Sequence, residues 1–426
     1  PDNKFIDYRQ QYPNADYFII THSSLMQSAQ QYAAYRTSKG ANVVLADVEQ
    51  LYHQFSHGIT KHPLSIRNFL MYMLNHTNRP AFLFLFGKSI NSYETRNYPQ
   101  VYQQCLVPSF GYPPSDNLFS APFDASGFEP RLATGRISVT DNTQALAYLE
   151  KIIEYETNPK DEWMKNVLHF GGGATTAEQT TFAAYLNHYR NIIQDTLFGA
   201  YVSTFLKNSS APIQITQSDS VRNLINNGVS MMTFFGHASA TGFDQSIDDP
   251  ENYQNQSKYP FILANSCFAG DIHLYGAIST SEKWVLENQR GAIAFLASVG
   301  EGIPTYLNLY SGQLYRNIAS QMYAMPLGFQ IINTIQSVQQ GNLTNLRMEI
   351  TCHEFTLHGD PALTLNSFEL PDLTIKLSDI KFIPGDINTA IDSFDVQFVI
   401  TNIGRATAEP FIVNVLRTFP DGSNSE

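Results

Sequence analysis

Short, wholly apolar runs recur along this chain, each closed by turn residues and set among stretches of helical periodicity. Phe82-Leu83-Phe84-Leu85-Phe86 is one such run and Phe261-Ile262-Leu263-Ala264 another. Residues 229–235 are apolar apart from Ser230 and Thr233. A strand with no polar face has to be covered on both sides, as parallel sheets with crossover helices allow. Further strands are expected at 16–20, 42–48, 131–137, 166–170, 201–205 and 291–297. Ser23 or Ser24 is expected to cap a helix that stops at Gly40. Pro63 opens another helix, and Ser281 caps a later one. The expected fold is α/β, a mostly parallel sheet with helices on both faces.

Residues 87–130 carry six prolines and no periodicity, and loops of this length are usually functional or disordered. A subdomain boundary is placed near Pro159, dividing an N-terminal α/β part (1–158) from a catalytic α/β part (159–368). From about residue 369 the texture changes. Leu373, Ile375 and Leu377 alternate with polar residues, as do Val396, Phe398 and Ile400, and then Phe411, Val413 and Val415. This reads as an all-β immunoglobulin-like module over 369–426, about half the ~100 residues of such a sandwich, hence truncated or unusually small.

Composition narrows the partners. The net charge of −12 disfavours nucleic acid and anionic membrane surfaces. No apolar stretch approaches the ~20 residues of a membrane span. Charged residues make up only 15%, and Asn, Gln, Ser, Thr and Tyr supply the polarity, a pattern associated with exported proteins. The chain opens at Pro1 without a visible leader and reads as a trimmed piece. Cys105, Cys267 and Cys352 form neither a disulfide framework nor a zinc spacing.

Two of the apolar strands end in residues able to do chemistry. Gly236-His237-Ala238-Ser239 follows the first, and Asn265-Ser266-Cys267-Phe268-Ala269-Gly270 follows the second. In parallel sheets ligands bind beyond the carboxyl ends of the strands. If these two are neighbours, ~4.8 Å apart, a thiol and an imidazole face one crevice. Cys267 then serves as nucleophile and His237 as general base and acid. The backbone N–H groups of Cys267 and Ala238 are the oxyanion donors. Cys105 and Cys352 read as packing residues, and His273 is the rival base. Gly171-Gly172-Gly173 lacks the glycine–lysine spacing of a nucleotide loop and reads as a tight turn beside the site. Ser298, Val299 and Tyr306, with Gly173, are expected to line the substrate pocket.

These residues resemble the gingipain-like cysteine peptidases, family C25, whose fold is related to that of caspases. The resemblance rests on Ala133-Thr134-Gly135-Arg136-Ile137, Phe235-Gly236-His237-Ala238-Ser239 and Cys267-Phe268-Ala269-Gly270-Asp271. It continues in 291–298 and in Leu357-His358-Gly359-Asp360-Pro361-Ala362-Leu363. It implies that His237 and Cys267 are the catalytic pair. The chain also resembles the PorU-type sortases of the type IX secretion system, which remove a C-terminal sorting domain from exported cargo. That likeness implies a secreted or outer-membrane-associated enzyme, exported protein substrates and type IX secretion components as partners. The alternatives are a secreted endopeptidase and a catalytically degenerate surface binding protein.

Two departures from the family pattern stand out. Ala238 replaces a glycine, which requires a negative φ there. The glutamate that orients the histidine in gingipains falls on Gly171, leaving the dyad without a third member. No acid matches their basic-residue pocket, so Arg or Lys specificity is not expected. No cofactor is required. Gingipains bind calcium, and the acidic loop of Asp244, Asp248, Asp249 and Glu251 offers hard oxygen ligands for it.

Overall fold

The computed structural model of the chain describes residues 5–75, 81–124, 126–211, 214–215, 219–388 and 391–425. It divides into two compact units, Pro1–Phe368 and Glu369–Glu426. The apolar runs of the first unit form one ten-stranded sheet. In chain order its strands are β1 (Tyr17–Thr21), β2 (Val43–Asp47), β3 (Phe82–Phe86), β4 (Ala133–Ile137), β5 (Asn166–Gly171), β6 (Tyr201–Leu206), β7 (Met231–Phe235), β8 (Phe261–Asn265), β9 (Ala294–Ser298) and β10 (Phe355–His358). They lie in the order β2-β1-β3-β4-β10-β9-β8-β7-β5-β6.

The strands fall into two parallel blocks. β1 to β4 and β10 run one way, and β5 to β9 run the other. The blocks meet at the antiparallel pair β9–β10. The boundary placed near Pro159 falls between the helix Asn142–Thr157 and β5, and the sheet is continuous across it. β7, β8 and β9 are buried at every residue, as their unbroken apolar character requires. Burying a side chain such as Leu263 or Phe295 stabilises the fold by about 1.5–3 kcal/mol. Edge strand β6 instead exposes Tyr201 and Leu206. The helix expected to be capped by Ser281 starts at Thr280, with Ser279 as its cap in a capping box with Glu282.

β3 and β4 are parallel, so the chain between them must return the full length of the strands. No long helix makes that crossover; the proline-rich segment does. Arg136 on β4, fully buried, anchors it. Its guanidinium bonds both carboxylate oxygens of Asp116 at 2.7 and 2.8 Å and the carbonyls of Gly87, Val107 and Pro108 at 2.8 to 3.1 Å. The segment then reaches the start of β10. Ser115 donates to the His353 carbonyl at 2.7 Å, and Asn117 donates to the Cys352 and Phe355 carbonyls at 3.0 and 3.3 Å. Burial alone raises the Asp116 pKa, but Arg136 outweighs it and holds the carboxyl below its ordinary value.

In the second unit the expected sandwich is not formed among the described residues. Three separate antiparallel pairs appear: Leu373–Thr374 with Thr401–Asn402, Lys381–Ile383 with Asp395–Gln397, and Arg417–Thr418 with Asn424–Ser425. Residues 411–415, expected as a strand, form none, and Phe411, Val413 and Val415 are exposed. A sandwich needs two sheets whose inner faces interdigitate. Here Gly404 is the one buried residue among those described, so the alternating apolar side chains have no opposing layer.

Asp116→Ala would leave the Arg136 guanidinium buried without its counter-charge. It is expected to lower the unfolding free energy by about 3–5 kcal/mol, as read by guanidinium denaturation. A loss below about 1 kcal/mol would show that the carbonyls alone suffice.

Candidate active site

The register of β7 against β8 pairs Phe235 with Asn265. His237 and Cys267 each follow two residues later, so they leave adjacent strands at the same sheet edge. Cys267 is half-buried, whereas Cys105 and Cys352 are buried; all three are free thiols. After Cys267 the chain turns sharply: Phe268 takes φ 57°, rare for a bulky side chain. Its N–H bonds the Gly300 carbonyl at 2.9 Å, and the Gly270 N–H bonds the Ser298 carbonyl at 3.0 Å. A Cβ at Gly270 would lie 2.5 Å from the Ala297 carbonyl oxygen. Cys-x-x-Gly is thus a turn that fits tightly against β9.

The sulfur itself accepts from the Gly302 N–H at 3.3 Å and lies 3.8 Å from the Gly302 carbonyl oxygen. The Cys267 N–H has no acceptor among the described residues. Ala238 begins a short hairpin, Ala238–Ser239 against Gly242–Phe243, closed by the Asp244 N–H to the His237 carbonyl at 2.9 Å. Hydrogen-bonded and non-bonded pairs alternate along antiparallel strands, so the Ala238 N–H points out of the ladder. Its φ is not positive, which removes the difficulty posed by an alanine there.

His237 is positioned from β5's side. Phe182 packs edge-on against its ring, 6.2 Å between centroids. The imidazole Nε2 lies 3.3 Å from Glu178 Oε1. Glu178 is the third residue of the helix Thr176–Gln194, in a capping box with Thr175. Its other oxygen accepts from the Ala174 and Thr175 N–H groups at 2.8 and 3.1 Å. Burial pushes the Glu178 pKa up, but those donors and the imidazole prevail and hold it below the ordinary glutamate range. A carboxylate therefore faces His237 after all. It comes from the helix start after the glycine turn, not from Gly171. Thr175-Thr176-Ala177-Glu178 is a capping-box sequence, the one signal that pointed to it. Thiol and imidazole share no hydrogen bond in this state; such contacts often tighten only with substrate bound.

The other anticipated residues sort differently. Gly173, Ser298 and Val299 are buried, while Tyr306 is half-buried. Gly300 and Gly302, between Val299 and Tyr306, make the contacts to the cysteine turn. His273 is fully buried and pushed down to about 3 by burial, so it is no base for Cys267. Cys352 and His353 lie on the helix Leu346–Glu354. The acidic loop is dispersed: Asp244 faces Lys207, Asp248 pairs with Arg222 at 2.8 Å and Asp249 with Lys283 at 3.4 Å. Among the described residues no group of three or more His, Cys, Asp or Glu is arranged to hold a metal ion. No described helix is long and apolar enough to cross a membrane.

The family model of Peptidase family C25 matches residues 10–366. This chain belongs to peptidase family C25. It is a cysteine peptidase by family, and its fold is that of the gingipains. The crystal structure of the Arg-specific cysteine proteinase gingipain R superposes with a TM-score of 0.65 at 16% identity, over 85% of this chain and 81% of that one. The RgpB pro- and mature-domain complex of Porphyromonas gingivalis gives 0.65 at 15%, over 85% and 83%. Dimeric latent PorU from Porphyromonas gingivalis gives 0.41 at 15%, over 86% of this chain and 31% of that one, too loose a likeness to build on. No curated protein matches this chain.

Two expectations follow for this C25 peptidase. Iodoacetamide should alkylate Cys267 well before Cys105 or Cys352, both buried and with pKa raised by burial; equal rates by mass spectrometry would remove the case for a special thiol. The second concerns Glu354, whose carboxyl lies under Gly300, where a Cβ would meet it at 2.5 Å. Burial, with the charge of Glu301, outweighs the Ser298 hydroxyl and pushes it from 4.5 up to about 7. Its protonated form thus stabilises the fold fully below about 4.5, a contribution lost as pH rises through about 7. Glu354→Gln should flatten the decline in stability over that window, measured by denaturation at a series of pH values. Parallel curves for both proteins would show that Glu354 is already ionised.

Proposed function

We propose that this C25 peptidase cleaves protein chains through a thioester on Cys267, with His237 as proton carrier and Glu178 as the group that orients it. The observation that carries this reading is the Glu178–His237 contact at 3.3 Å beside the turn that bears Cys267. Cys267 Sγ attacks the scissile carbonyl carbon while His237 takes the thiol proton. The oxygen's developing charge is met by the Cys267 and Ala238 N–H groups. His237 then gives the proton to the leaving amine, the C–N bond breaks, and the thioester remains. The chemistry uses no cofactor. The alternative of a degenerate binding protein was motivated by the missing carboxylate, and the Glu178–His237 contact supports the catalytic reading instead.

The finer reading is a sortase at the cell surface. There an amine of a surface lipopolysaccharide, not water, attacks the thioester, and the cargo is an exported protein that loses its C-terminal sorting domain and becomes lipid-linked. It rests on the motif likeness to PorU-type sortases, and it makes outer-membrane type IX secretion components the partners. Hydrolysis by water in the last step is the secreted-endopeptidase alternative.

Deleting the gene in its host should abolish cargo cleavage and the lipid-linked cargo form, both restored by wild type but not by Cys267→Ala. Cargo cleaved yet never joined to lipid in the wild-type host would favour the endopeptidase. Full rescue by Cys267→Ala would overturn the thioester itself.

A further inference from the structure

Just behind His237 lies a buried ion pair that the chemistry above does not use. Asp244 is 8% exposed and Lys207 3%. Lys207 Nζ stands 3.5 Å from Asp244 Oδ2 and has no hydrogen-bond partner among the described residues. The same Oδ2 accepts from the Gly173 N–H at 2.8 Å. The carboxylate fills space that two glycines leave open. A Cβ at Gly172 would sit 2.1 Å from Asp244 Oδ1, and one at Gly236 2.5 Å from it. Taking a lysine and a carboxylate out of water costs several kcal/mol per ion, so such a pair is a poor device for stability alone.

The connections of Asp244 converge on the catalytic constellation. Its backbone N–H holds the His237 carbonyl at 2.9 Å, fixing the loop that carries the imidazole. Its side chain holds Gly173, the residue that leads through Ala174 into the Thr175 cap and Glu178. Lys207 follows β6, and its N–H bonds the Gly171 carbonyl at 2.7 Å. The ends of three adjacent strands, β6, β5 and β7, are therefore tied through one carboxylate. Sliding the glycine turn against the His237 loop would separate the imidazole from Glu178.

We infer that Asp244, charge-paired with Lys207, is a positioning residue that sets the distance between His237 and Glu178. The inference rests on the Cys267–His237–Glu178 reading and specifies what holds that constellation in register. Asp244 touches no reacting atom. It acts through the two loops, and a misplacement near 1 Å can cost about a hundredfold in rate.

The test is a double-mutant cycle in the intact protein, read by the iodoacetamide rate at Cys267, which needs no known substrate. His237→Ala, Glu178→Gln, Asp244→Asn and Glu178→Gln/Asp244→Asn are compared, with thermal unfolding of each. Glu178→Gln and Asp244→Asn should each slow alkylation about tenfold, and the double variant should also be slowed only about tenfold, because both act through one contact. A loss near a hundredfold in the double, or a wild-type rate in a folded Asp244→Asn, overturns the inference. A lower melting temperature with unchanged alkylation assigns Asp244 to the fold alone and likewise overturns it. Should Asp244→Asn fail to fold, Lys207→Met takes its place in the same cycle with the same expected outcome. If His237→Ala leaves the Cys267 rate unchanged, the dyad reading itself falls, a result distinct from failure of the Asp244 arm.

Discussion

The pairing of Phe235 with Asn265 across β7 and β8 is the constraint on which the site depends. Side chains alternate along a strand, so a slip of one residue would move every side chain of that strand to the other face of the sheet. Neither strand can slip without driving residues such as Met232, Phe234 or Leu263 out of fully packed surroundings. The energy that fixes the positions of His237 and Cys267 is therefore core energy. The reactive residues sit just past the last ladder bond, where the backbone is free to turn but its origin is not free to move.

Around that edge the backbone does much of the work of side chains, and glycine lets it approach. Gly302 brings its N–H to the sulfur of Cys267, and Gly270 lets the cysteine turn rest on the Ala297 carbonyl. Gly172 and Gly236 admit the Asp244 carboxylate between them, and Gly300 admits that of Glu354. Two acids thus enter from opposite flanks beneath loops that meet at the site. Among the described residues only one of them has a cation facing it, Lys207 beside Asp244. Glu354 has a hydroxyl and a neighbouring acid instead, which is why burial raises its pKa.

The opposite block of the sheet is organised by a buried charge of the other sign. Arg136 draws its ligands from an irregular crossover, giving a segment without periodicity the fixed course that a helix would give to an ordinary β–α–β unit. Gly135 beside it is held to glycine by the Gly359 carbonyl, 2.2 Å from where a Cβ would stand. Two of the motifs that signalled the family, around residues 135 and 359, are therefore one contact seen from two strands. Among its described residues the second unit buries little more than Gly404. Its apolar alternation is real, but among the described residues three separate two-stranded pairs leave those side chains without an opposing layer.

What the sequence determined by itself was local in cause. Runs such as 82–86 and 261–264 can only be doubly covered strands, because nothing in them tolerates water. The residues that end such strands, His237 and Cys267, were legible for the same reason, as was the crowding implied by Gly171-Gly172-Gly173. The tertiary structure alone decided which elements meet. Glu178 was sought at the strand end and reaches His237 from the first turn of a helix, because a capping box aims its carboxylate back over the glycine turn. Asp244 read as one of four loop acids, yet it is buried against Lys207, 37 residues earlier in the sequence. Ser298 and Val299, at the end of β9, are buried, a fact their place in the sequence does not record. No periodicity records these choices. They depend on how separate segments share space, and a sequence states what each segment must bury without stating what will cover it.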